Sequence, residues 1–198
     1  MKRLVYLLVL LAMPSLCWAD EVADITQRVR QAAIDKWFPD ATLVEIQVAG
    51  MLNNNQFENG SVGYFFKSAK STGLLDVRTE LNMTPQGQAY IQQHQPDYAQ
   101  MLGKLQWSEE PQSAGFPYSL PIPENIIDVT RAVSMVRHGQ VVSAEIHTYR
   151  LRSGGTVPVW NIESTAGNPP VLIDALRGTI LQCQPVREPN GFKIYLAC

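Results

Sequence analysis

Residues 22 to 37, VADITQRVRQAAIDKW, place apolar side chains at Val22, Ile25, Val29, Ala32, Ala33 and Trp37. That spacing predicts one buried face of a helix, and Pro39-Asp40 stops it. TLVEIQVA then alternates, with Val44, Ile46 and Val48 on one side and Glu45 and Gln47 on the other, the pattern of a half-buried strand. NNNQFENGS reads as a polar turn, VGYFFK as a second strand and LLDVRTELN as a third. In the third, Leu75, Val77 and Leu81 point inward while Asp76, Arg78 and Glu80 point outward.

A shift of 100 residues repeats the order. IPENIIDVTRAVSMVRHG is again amphipathic, and QVVSAEIHTYRL sets Ala144-Glu145-Ile146 where Val44-Glu45-Ile46 stood. RSGG turns the chain into TVPVWNIES, and PVLIDALRGTILQ follows a turn at Gly167-Asn168-Pro169-Pro170. The expected fold is α+β: two small helix-on-antiparallel-sheet modules, each α-β-β-β, at 20–83 and 117–198. A helical, Gln- and Pro-rich linker at 84–116 joins them. Within it Thr84-Pro85 starts a short helix, with a threonine cap and proline in the first turn. Asp97 is expected to cap a second, and SEEPQSAGFPYSLPIP, with Phe116 and Tyr118, reads as loose chain.

The N-terminus has Lys2 and Arg3, an apolar run from Leu4 to Ala12, Pro14, and small residues before Asp20. This is the order of a secretory signal peptide over residues 1–19, too short to span a bilayer. A periplasmic or secreted protein with no integral span after cleavage is expected. The leader carries two of the 16 basic residues and none of the 18 acidic ones, so the mature charge is 14 minus 18, or −4. A mildly acidic chain without a basic block has no electrostatic reason to bind nucleic acid. Cleavage also removes Cys17 and leaves Cys183 and Cys198. An even pair in an oxidising compartment favours a disulfide, and Pro189-Asn190-Gly191 between them is a turn signal.

Candidate chemistry is sparse. The sequence has no GxSxG elbow, HExxH, phosphate loop or dinucleotide fingerprint. His94, His138 and His147 stand in no ligand spacing with one another or with cysteine, so no metal, cofactor or catalytic residue is predicted. Glu145-x-His147-x-Tyr149 lies on the outward side of one strand. A carboxylate beside an imidazole is a possible acid–base pair, and the bland reading is a solvated sheet face. His138-Gly139 marks a helix end.

From the second helix through VVSAEIHTYRLRSGGTVPVWNIEST to PVLIDALRGTILQ, residues 117 to 182, the chain resembles a PepSY domain. The family's closing pattern, apolar-apolar-Asp-Ala-x-x-Gly-apolar-apolar, is matched by Leu172 to Leu181. Val159-Trp160-Asn161-Ile162 matches its mid-domain strand. The first half matches only by element order, having VRTELNMTPQG in place of that ending. The resemblance implies a helix packed on a small antiparallel sheet and no catalytic residues. It also implies an exported protein that restrains or assists another envelope or secreted protein, such as a protease. Glu45, Gln47, Glu145, His147 and Tyr149 would then form the partner-binding surface. Asp174 and Gly178 transfer only as structural turn positions. Asp174 is expected to accept backbone N–H bonds two or three residues on, and Gly178 to take a positive φ. The alternative function is a module for a small apolar ligand or lipid, with Trp37, Trp107, Trp160 and GYFF lining a pocket.

Overall fold

The computed structural model describes residues 21–53, 56–111, 120–136, 141–164, 169–187 and 194–197. The expectations placed on the leader, Phe116, Tyr118, His138-Gly139, Gly167-Asn168, Pro189-Asn190-Gly191 and Cys198 lie outside the described residues. Helix α1 (Glu21–Lys36) follows its apolar spacing and buries Val22, Ile25, Val29 and Ala33 against a sheet. Three antiparallel strands come next: β1 (Thr42–Asn53), β2 (Gln56–Lys67) and β3 (Gly73–Leu81). The polar NNNQFENGS is therefore largely strand, because β1 runs on to Asn53 and β2 starts at Gln56. Polar side chains are tolerated there because they take the solvent-facing positions: Asn53 and Asn59 are exposed while Phe57 joins the core.

Helix α2 (Pro85–His94) begins as expected, with the Thr84 hydroxyl accepting from Gly87 N at 3.1 Å and proline in the first turn. Helix α3 (Pro96–Ala99) is preceded by Gln95, and Asp97 sits inside its first turn without capping it. Pro96 sets that start, since its fixed φ suits the first helical position. Strand β4 (Gln106–Pro111), read in the sequence as linker, pairs with β3 through Val77↔Trp107 and Leu75↔Glu109. Helix α4 (Val129–Ser134) occupies only part of the amphipathic stretch expected at 122–139. Pro121 and Pro123 disfavour helix before it, and Asp128 caps it by accepting from Thr130 N at 2.8 Å.

The remaining strands are β5 (Val141–Leu151), β6 (Thr156–Ser164), β7 (Val171–Asp174), β8 (Thr179–Leu181), β9 (Gln184–Arg187) and β10 (Ile194–Ala197). They overturn the picture of two small modules. The strands form one sheet in the order β4-β3-β2-β1-β5-β6-β7-β8. The two halves meet edge to edge through Ile46↔Ile146, Gln47↔Glu145, Val48↔Ala144 and Ala49↔Ser143. Separate modules would each leave an inner strand with unpaired N–H and C=O groups, and joining satisfies both. Both halves also share one core: Val22, Val29, Ile46, Tyr64 and Val77 cluster with Val129, Ala132, Ile146, Trp160 and Ile173.

The sheet is symmetric in order about the β1–β5 seam, and the central pair Ile46↔Ile146 is 100 residues apart. Alternation along both seam strands follows from this. Ile46 and Ile146 enter the core beneath the helices, so Glu45, Glu145 and His147 belong to the opposite face. That face is open only in part, at Gln47 and Glu145. The β9–β10 pair joins the sheet beside it, with β10 pairing parallel to β5 at Tyr195↔Arg150 and Leu196↔Leu151. Leu196 packs there with Tyr149, Val159 and Leu172. A third cluster, Val44, Phe65 and Leu74, forms beside the register shift between Leu43 and Glu45.

Candidate functional sites on the two faces of the seam

On the helix side of the sheet, a groove of about 690 Å³ runs between α1 and residues 124–128. Val22, Thr26, Arg30 and Ile34 of α1 form one wall, Ile126 and Ile127 the other, and Ile46 and Trp160 the floor. Residues 124–128, which precede α4, are non-helical where they line it. That chain is pinned: Ile127 N donates to Ala175 O at 2.7 Å, and Trp160 Nε1 donates to Ile127 O at 3.0 Å. Arg30 Nη2 donates to Ile122 O at 3.0 Å and Pro123 O at 3.2 Å, holding the segment at the α1 side. Burial lowers the Arg30 pKa and Glu124 opposes that shift. Of the aromatics expected to line a pocket, only Trp160 does so; Trp37 and Trp107 pack against the shared core elsewhere.

On the opposite face the seam gathers Glu45, Glu145 and His147. His147 Nδ1 is 3.9 Å from Glu45 Oε2, and its Nε2 is 3.6 Å from Glu145 Oε1. One ligating atom from each of the three lies within 4.8 Å of the others. Gln47 Nε2 donates to Glu45 Oε1, and Asn161 Nδ2 donates to Glu145 Oε1 at 3.1 Å. The Tyr149 ring meets the imidazole edge-on at 6.2 Å.

Electrostatics separate the two glutamates. Desolvation raises the Glu45 pKa, with Glu145 and Asp76 adding to the rise and His147 and Gln47 opposing it. For Glu145 the neighbouring His147 is the main cause of a lowered pKa, helped by Asn161 and opposed by burial. Asp76 is 2.7 Å from Arg78, so that guanidinium is already committed.

The five residues expected to form a partner-binding surface thus converge, but most of them are not on a surface. Glu45 is 3% exposed, His147 1% and Tyr149 3%, whereas Gln47 is exposed and the Glu145 side chain 37% exposed. The β9–β10 return is the reason at Tyr149. Sequence reasoning placed these side chains on the correct side of the strand and took that side for solvent. It missed Asn161, and it missed Thr26, Arg30, Ile126 and Ile127 of the groove. The available signal for the cluster was the recurrence of Glu-Ile at 45–46 and 145–146.

The turn after β7 is as expected. Asp174 Oδ1 accepts from Leu176 N at 2.9 Å and Arg177 N at 3.0 Å, and Gly178 has φ +65. Asp174 is buried, both N–H bonds go to its Oδ1, and its Oδ2 lies 3.9 Å from Arg177 Nε of the same turn.

Among the described residues, no helix is long and apolar enough to cross a membrane. No family model matches the chain, and no curated protein matches it. One solved structure, from Clostridium difficile 630 and described as a putative lipoprotein, aligns over 80% of this chain and 90% of its own. The identity is 12% and the TM-score 0.46, a likeness that identifies neither fold nor function.

Proposed function

We propose that the chain is a non-catalytic binding protein of the cell envelope that takes the apolar body of a small ligand into the groove between α1 and residues 124–128. The groove carries this reading. Its volume of about 690 Å³ lies in the range of small-molecule sites, and its apolar floor is bordered by largely polar walls that include Gln27, Arg28, Gln31 and Glu124 besides Arg30 and Asp128. Its wall groups are engaged structurally: Arg30 holds two carbonyls, and Asp128 caps α4. That favours holding a ligand over transforming it. The leader pattern and the PepSY resemblance of residues 117–182 agree with an exported, non-enzymatic role. Docking of a partner protein on the helix-free face has less support, since Glu45, His147 and Tyr149 are buried there.

The test is titration with an environment-sensitive fluorescent acyl probe. Ala23 and Gln27 line the groove and are exposed, so Ala23→Trp and Gln27→Trp fill it without touching the core. The wild type should bind the probe saturably at one site, and both variants should lose binding at unchanged melting temperature. Equal binding by wild type and variants would remove the groove from the account.

A further inference from the structure

We propose that Glu45, Glu145 and His147 form a binding site for a divalent transition-metal ion, with zinc the best fit, on the face of the sheet opposite the groove. The donor set comes first. One imidazole and two carboxylates give a mixed N/O triad, and imidazole favours transition ions over calcium or magnesium, which prefer oxygen alone. The three donor atoms lie within 4.8 Å of one another. Ligands at the usual zinc distances would stand roughly 3.4 Å apart. The Nε2–Glu145 separation, 3.6 Å, is already close to that, whereas the 3.9 Å contact to Glu45 is made by the other ring nitrogen, Nδ1, which an ion held at Nε2 does not use. Bringing the three donors, now within 4.8 Å, around one ion needs side-chain rotation, for which the 37% exposed Glu145 has more room than the buried Glu45 and His147.

Charge points the same way. Glu45 is 3% exposed and lies near two further carboxylates, Glu145 and Asp76, while Arg78 is bound to Asp76. Two glutamates around one imidazole balance a dication. Each carboxylate is also steadied by an amide from the side, Gln47 on Glu45 and Asn161 on Glu145. Such outer partners are what orient ligands in metal sites. Three protein ligands leave a fourth position, and the partly exposed Glu145 sets it toward solvent, where water completes a tetrahedron.

The pairing of β1 with β5 builds the site. Gln47↔Glu145 and Ile46↔Ile146 are paired positions, so the next step of the same register brings Glu45 toward His147. No spacing within one strand reveals this.

The experiment uses tag-free protein purified after export, stripped with a chelator, and titrated with zinc by calorimetry. Cobalt serves as an optical probe of four-coordinate geometry. The expected result is one ion per chain, with visible cobalt bands displaced by zinc. Glu145→Gln changes a partly exposed group, so it should still fold with a single cooperative transition when chelated and should weaken zinc binding at least about tenfold. His147→Gln should abolish the cobalt bands. Absence of zinc uptake by the wild type would overturn the proposal. So would equal uptake by Glu145→Gln, which assigns the ion to an adventitious surface site, or equal competition by calcium.

Discussion

Truncation of Ile146 to alanine tests whether the halves behave as one body. Ile146 is 0% exposed, sits opposite Ile46 across the seam and opposite Trp160 on its other side. The change removes three carbons from a packed site. At about 0.8 kcal/mol per buried methylene the transfer loss is about 2.4 kcal/mol. The cavity left behind brings the total to about 3–4 kcal/mol, within the usual span for Ile→Ala. Hydrogen exchange followed by mass spectrometry reads the two halves separately, through peptides covering β1 and β2 and peptides covering β6. With a shared core and a continuous ladder, both sets should exchange faster by a similar factor, roughly 100-fold for about 3 kcal/mol. Urea unfolding should remain a single transition with an unchanged slope. If only β6 peptides lost protection while β1 and β2 kept theirs, the seam would not couple the halves and the reasoning would fail.

Gly178→Ala should cost about 1–2 kcal/mol in urea unfolding, because Gly178 has φ +65 and an alanine resists that region. Its Cβ would lie 3.2 Å from Met135 Cε, a flexible tip that yields; valine should cost more and asparagine less, and an alanine variant as stable as wild type would contradict this. The register pairs Gln184 with Ala197, one residue inside Cys183 and Cys198. Non-reducing peptide mapping should therefore find the two cysteines linked, with reduction costing about 3 kcal/mol, whereas two free thiols would refute the link. In chelated protein, Glu145→Gln should alter the acid limb of stability. A carboxylate held below its ordinary 4.5 contributes stability above that pH and loses it as pH falls through the lowered value. The wild-type advantage over Glu145→Gln should shrink below about pH 5. The raised Glu45 pKa acts in the opposite sense; its main cause, desolvation, is shared by both proteins, and its smaller Glu145 contribution is lost in the variant. An advantage that grew on acidification would reverse the assignment.

Local features were the legible ones. The stripe at Val22, Ile25, Val29 and Ala33 gave α1, and the Asp174–Gly178 spacing gave its turn down to the two accepted N–H bonds. Alternation also assigned Glu45 and His147 to the side away from Ile46 and Ile146. Three things were not local. Periodicity tells which face a side chain takes but not which strand lies alongside, so the β1–β5 seam was invisible and two modules were expected. Burial of the second face depends on the β9–β10 hairpin returning from far along the chain to pack Leu196 against Tyr149. Strand β4 carries Ser108, Glu109, Glu110 and Pro111, the charged and proline-bearing composition of a protected sheet edge, which reads equally as linker. The helix expected at 122–139 was cut back by local signals, Pro121, Pro123 and Asp128, that the amphipathic pattern outweighed in reading.

The most direct measurement is a two-dimensional NMR titration of the purified protein with a short-chain apolar ligand. The account predicts saturable shifts concentrated at Ala23, Gln27, Ile126 and the Trp160 indole N–H, and none at Gln47 or Asn161 on the other face. Shifts centred on the helix-free face, or no saturable shifts across a panel of apolar ligands, would contradict it.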